Sequence, residues 1–205
     1  MKRAAFGIRM HSGWGVLVAV SGDTDSLEII DRRRIVTVAA VQGEAVGEPG
    51  GPNQPYHHAA NLPLPEAERY LSRCAALSER LSSAAIAEVV RELDARHYRI
   101  VGAAVLLASG RPLPPLAKIL AAHPLIHTAE GEFFRHAVRA ACEGLNIGVT
   151  AIPERELESR AKAAFGKAAS RVQRGIATLG SSIGPPWTKD HKAAALGAAM
   201  ILAEK

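Results

Sequence analysis

The sequence predicts an α/β fold: a mixed five-stranded sheet in which an antiparallel meander leads into parallel strands, with helices on both faces. Three observations predict it. Short apolar runs separated by turn residues open the chain between Ala4 and Val41. Two later runs, RIVGAAVLL at 99–107 and GVTAI at 148–152, are apolar without alternation, as strands covered on both faces are. Helical stretches separate and follow these runs, and right-handed helical crossovers make such strands parallel neighbours.

Each element has a local reason. Residues 4–6 and 16–20 read as strands around the bend Arg9-Met10-His11-Ser12-Gly13-Trp14-Gly15. Residues 27–30 and 35–41 read as a third strand or a pair, with Gly22-Asp23 and Asp31-Arg32 marking turns. The stretch 43–65, GEAVGEPGGPNQPYHHAANLPLP, is too rich in Gly, Pro and Asn to pack, so a long surface loop is expected. A helix follows from Pro65 to about Arg96, broken near Ser82-Ser83, with Leu71, Leu77, Leu81, Ile86, Val89, Val90 and Leu93 on its apolar face. Pro112, Pro114 and Pro115 end the 99–107 strand, a helix over 130–144 stops at a glycine, and Pro153 closes the strand at 148–152. Helices over 154–165 and 167–179 come next, then the loop SSIGPPW and a last helix over 189–203. No internal repeat appears, and one domain over residues 1–205 is expected.

The composition, 48% hydrophobic and 22% charged, is that of an ordinary soluble globular protein. The run GVLVAV is too short for a membrane span or the core of a signal peptide, so a cytoplasmic protein without membrane contact is the expectation. Cys74 and Cys142 stand apart with no CxxC pairing, which gives no sign of a secreted disulfide scaffold or a zinc cluster. The net charge is +5, and its distribution says more than its size. Between Ser159 and Lys192, Arg160, Lys162, Lys167, Arg171, Arg174, Lys189 and Lys192 face a single acid, Asp190. A local basic zone suits phosphate contact, and it equally suits a plain solvated helix surface. Lys167, Arg171 and Arg174 fall at i, i+4 and i+7, opposite Val172, Ile176 and Leu179. His57-His58 reads as loop decoration, because neighbouring side chains diverge, and Trp14 and Trp187 read as packing anchors. Neither a GxSxG turn nor a GxxxxGK[ST] phosphate loop occurs.

The order of elements resembles the ribonuclease H-like topology, and parts of the chain resemble RuvC-type Holliday-junction resolvases. GIRMHSGWG is similar to that family's first-strand turn, where Gly-Ile-Asp-Pro-Gly is usual. EGEFFRHAVRAACEGLNIGVTAIPERELESRAKAAFG is similar to its helix, short strand and Pro-Arg-Glu segment, and DHKAAALGAAMIL to its last helix. The resemblance spans about residues 4–41 and 97–204. It implies acids from three places holding two magnesium ions, which align a water and stabilise a leaving oxygen. The chain departs from that pattern. Arg9 stands where the first Asp belongs, no acid lies near Leu106-Leu107-Ala108-Ser109, and Ala194 replaces the final Asp, while His191 fits an acid-or-His position. A guanidinium in such a site repels a cation and can itself fill a carboxylate-lined space.

The resulting expectation is a catalytically silent nucleic-acid-binding or scaffolding protein without metal or cofactor. Arg9, His11, Ser12, Lys167, Arg171, Arg174, Lys189 and Lys192 would contact a DNA or RNA backbone, and the resemblance implies pairing into a homodimer. Two alternatives stand beside it. One is a Mg2+- or Mn2+-dependent structure-specific endonuclease with a rearranged centre drawn from Glu130, Glu132, Asp190 and His191. The other is a protein-interaction module that binds no nucleic acid.

Overall fold

The structure, a computed structural model, describes residues 1–39, 52–108 and 112–204. Its sheet contains β1 (Lys2–Met10), β2 (Trp14–Ser21), β3 (Glu28–Val36), β4 (Tyr98–Leu107) and β5 (Val149–Pro153), in the spatial order β3-β2-β1-β4-β5. β1 runs antiparallel to β2 and parallel to β4, β2 and β3 are antiparallel, and β4 and β5 are parallel. This is the ribonuclease H-like arrangement.

Because successive strand residues point to opposite faces, the two apolar sides of β1, β2 and β4 build two cores. Phe6, Ile8, Leu17, Ala103 and Val105 meet Ile86 and Leu93 of α2 (Leu64–Ala95) and Phe134 and Val138 of α4 (His123–Gly144). Ala5, Val16, Val18, Ala104 and Leu106 meet the other helical layer, α5 (Leu157–Phe165), α6 (Ala169–Ile183) and α7 (Lys189–Ala203). Two short helices, α1 (Pro55–Ala59) and α3 (Leu116–Leu120), pack against α4.

α7 lies unusually close to the sheet. A Cβ built on Gly7 in β1 would sit 1.8 Å from the Ala194 carbonyl oxygen, so only glycine fits there. Ala194 is itself fully buried in this interface, and a carboxylate at that position would be enclosed between helix and sheet. The end of α6 is held by the edge strand β3. The Arg32 guanidinium of β3 donates to the carbonyl of Ile183, which the helix end leaves without an internal partner, and to those of Gly184, Pro185 and Pro186 in the segment that follows. α7 then opens with a capping box: the Thr188 hydroxyl meets the N3 backbone, and its backbone N–H meets His191 Nδ1.

Several boundaries differ from expectation for identifiable reasons. Arg9 and Met10 belong to β1, so the bend is confined to His11–Gly13, where Gly13 adopts φ +77°. Residues 31–34 continue β3 rather than turning. Edge strands tolerate charge, and here Arg33 pairs with Asp31 and with Glu92 of α2. α2 runs unbroken through Ser82, which is fully buried, because serine is a weak helix former but not a breaker. The expected loop at 43–65 contains α1 and the start of α2, while residues 43–51 of it lie outside the described residues. α4 begins at His123, seven positions before the expected start at Glu130, with a proline in its first turn. No helix among the described residues is long and apolar enough to cross a membrane. Cys74 and Cys142 are both buried free thiols, and burial, with Glu143 adding to it, pushes the Cys142 thiol up to about 12.

Candidate functional site

The carboxyl ends of β1, β4 and β5 converge on a polar cavity of about 350 Å³, bordered by Arg9, His11, His127, Glu130, Arg135 and Glu154. Ligands of open α/β sheets bind in such crevices, beyond the carboxyl ends of the strands.

Arg9 leaves the end of β1 and meets two acids from distant parts of the chain. Its Nε and Nη2 donate to Glu154 Oε1 and Oε2, each at 3.1 Å, in a fork-to-fork pair. Its Nη1 donates to Asp190 Oδ1. Asp190 Oδ2 lies 2.8 Å from His11 Nε2, and because a carboxylate only accepts, that nitrogen carries the proton. The guanidinium is thus held on three nitrogens, with its side chain 20% exposed. Glu154 follows β5 immediately after Pro153, and Asp190 occupies the first turn of α7, where the helix dipole favours an acid.

Beside this group lies a stack. The His11 ring is parallel to Trp14 at 4.4 Å, and the Arg34 guanidinium covers Trp14 at 4.1 Å from the ring centroid. Trp187 is anchored instead, its Nε1 donating to the Ile176 carbonyl at 2.9 Å. Arg135 on α4 reaches under the cavity and donates from Nε to the Leu106 carbonyl at 3.0 Å. Burial pulls its pKa down from the usual arginine value, against the charge of Glu132.

The residues singled out from the sequence fall into separate places. Arg9, His11 and Asp190 are brought together, with Ser12 exposed at the mouth of the cavity. Glu130 bonds to His57, Glu132 pairs with Arg135, and His191 serves the α7 capping box, so these three do not join Asp190 in one set. On the α5–α7 layer, Arg171 pairs with Asp25, while Lys167, Arg174, Lys189 and Lys192 are exposed and have no partner among the described residues. The glycines of the first-strand turn are required by packing: a Cβ on Gly7 would strike Ala194 and one on Gly15 the Met10 sulfur. Sequence reasoning missed Glu154, although an acid directly after a strand-closing proline was its visible signal. It also missed His123 and His127, which the His-Pro helix start places on one face of α4.

His191 makes the stability of this region sensitive to pH. Burial first, then the charge of Arg32, hold its imidazole below the ordinary 6.5, with Asp190 opposing. The unfolded chain binds that proton more readily, so the contribution is intact above pH 6.5 and is lost as pH falls through 6.5 toward the lower folded value. His191→Gln keeps a capping-box side chain and removes the titration. Between about pH 7.5 and about pH 5.5, the urea midpoint of the variant is expected to drop less than that of the wild type.

No family model matches this chain, and no curated protein matches it. Among solved structures, the chain is similar to Thermus thermophilus RuvC in complex with a Holliday-junction substrate, at 16% identity and a TM-score of 0.49, covering 97% of this chain and 91% of that one. A second Thermus thermophilus RuvC structure matches at 14% identity and a TM-score of 0.49, covering 96% and 91%. An Aquifex aeolicus member of the Ppx/GppA family matches at 14% identity and a TM-score of 0.35, covering 80% of this chain and 39% of that one.

Proposed function

We propose that this protein binds the backbone of nucleic acids without hydrolysing it, using the exposed cations of the α5–α7 layer beside a strand-end site closed by Arg9. The observation that carries the reading is the contrast in charge pairing. Arg9, inside the cavity, is neutralised by Glu154 and Asp190, while Lys167, Arg174, Lys189 and Lys192, outside it, are unpaired and open to solvent. Two magnesium ions need several carboxylate oxygens free to point at them. Both oxygens of Glu154 and both of Asp190 already accept from Arg9 and His11, so these residues do not fit such a pair. Contacts through lysine and arginine to phosphate carry little sequence information, so shape and charge of the nucleic acid would govern binding.

The test is a binding and cleavage assay on branched and single-stranded DNA and RNA, with and without Mg2+ or Mn2+. Binding without cleavage, weakening steeply as salt rises, is the expected result. Replacing Lys189 or Arg174 with alanine should lower the slope of log affinity against log salt by roughly one unit each. Metal-dependent cleavage would overturn the silent reading. Binding that is absent, or indifferent to salt and to these substitutions, would overturn the nucleic-acid reading and favour a protein-interaction module.

A further inference from the structure

Next to the Arg9 group lies a second cluster that the proposed function does not use. α1 carries His57, and the first two turns of α4 carry His123 and His127, which at i and i+4 share one helix face. One nitrogen from each of the three rings lies within 4.8 Å of the other two. The rings stand edge to face rather than stacked, with centroids 5.3, 4.7 and 4.5 Å apart. Behind them, Glu130 is 3% exposed. Its Oε1 accepts from His57 Nδ1 at 2.9 Å and from the His57 backbone N–H at 3.2 Å.

We propose that His57, His123 and His127 form a binding site for a divalent transition-metal ion of the zinc class, with Glu130 as the positioning residue for His57.

Three arguments support the assignment. Imidazole nitrogens suit zinc and its transition-metal neighbours, whereas magnesium and calcium prefer oxygen. A buried carboxylate is costly without partners, and this one is held against Nδ1 of His57, which leaves Nε2 for a ligand role. With its proton on Nδ1 the lone pair of His57 rests on Nε2, the carboxylate–histidine pairing that orients metal-bound imidazoles. The fit in space is also close. Ligand nitrogens around tetrahedral zinc lie about 3.3 Å apart, given bonds of about 2.0 Å. His123 and His127 are exposed helix side chains, free to rotate and close the remaining distance. Three protein ligands leave a fourth position for water or an anion, and His127 and Glu130 border the polar cavity that reaches Arg9.

The proposal is independent of nucleic-acid binding, and its test uses none. Full-length protein without a histidine tag, stripped with chelator, is titrated with Zn2+ alone by calorimetry and with Co2+ by visible absorption. One equivalent is expected to bind, with the intense cobalt bands of a four-coordinate site. His127→Ala and His123→Ala should each weaken Zn2+ by about 100-fold or more, and the second covers the case in which the first folds poorly. His136→Ala, an exposed histidine on the same helix, should change nothing. Glu130→Gln should retain one equivalent but weaken it by about 10–100-fold and shift the cobalt bands, which a purely structural carboxylate would leave in place. Absence of stoichiometric binding, or equal affinity in both histidine variants and the wild type, would overturn the site.

Discussion

Gly7→Ala is expected to destabilise the protein by about 3 kcal/mol or more, enough to deplete the folded state under ordinary conditions. The added methyl group would lie 1.8 Å from a backbone oxygen of α7, and backbone cannot step aside as a side-chain tip can. Relief requires lifting α7 from β1, which would open the core built by Ala5, Ala104, Leu106, Ala195 and Met200. A control comes from the same strand: Arg3→Ala removes one exposed contact, to the Glu204 carbonyl, and should cost little. Urea denaturation of both variants checks the result. A midpoint for Gly7→Ala matching that of Arg3→Ala would show that α7 does not sit where the structure puts it.

Arg9→Ala is expected to cost about 2 kcal/mol, less than for a fully buried ion pair because Arg9, Glu154 and Asp190 all retain contact with solvent. The more telling outcome concerns metals. Removing the guanidinium leaves Glu154 and Asp190 facing one gap with no cation between them, and a divalent ion then has oxygens to bind. The melting temperature of Arg9→Ala should therefore rise when Mg2+ or Mn2+ is added, by mass action on the folded state, while the wild type should be nearly indifferent to Mg2+. Equal response in the two proteins would mean that Arg9 does not occupy those carboxylates.

Much of the sheet was legible because its causes are local. An apolar run such as 99–107 has few alternatives to a strand covered on both faces, and it became β4. The termini of α2 and α4 were less legible. Pro124 opens α4 rather than ending a loop, since the first turn of a helix has no use for the amide that proline lacks. The site was the least legible part. Arg9 could be recognised as a cation at the end of the first strand, but its partners Glu154 and Asp190 lie 145 and 181 positions away in sequence. Only the register of β1 with β4, β5 beyond it, and the placing of α7 bring them together. The same applies to His57, which looks like decoration in a Gly- and Pro-rich stretch until α4 presents two more imidazoles to it.

The uneven covering of the sheet has a consequence for biosynthesis. β1 and β2 pair within the first 21 residues, yet Ala5, Val16, Val18 and Val20 are shielded by helices that begin only at Leu157. A nascent chain emerging from the ribosome therefore displays a bare apolar surface until the last quarter of these residues has been translated. Such a surface invites association with other chains, so holdase chaperones should engage the ribosome-bound intermediate most strongly before α7 emerges.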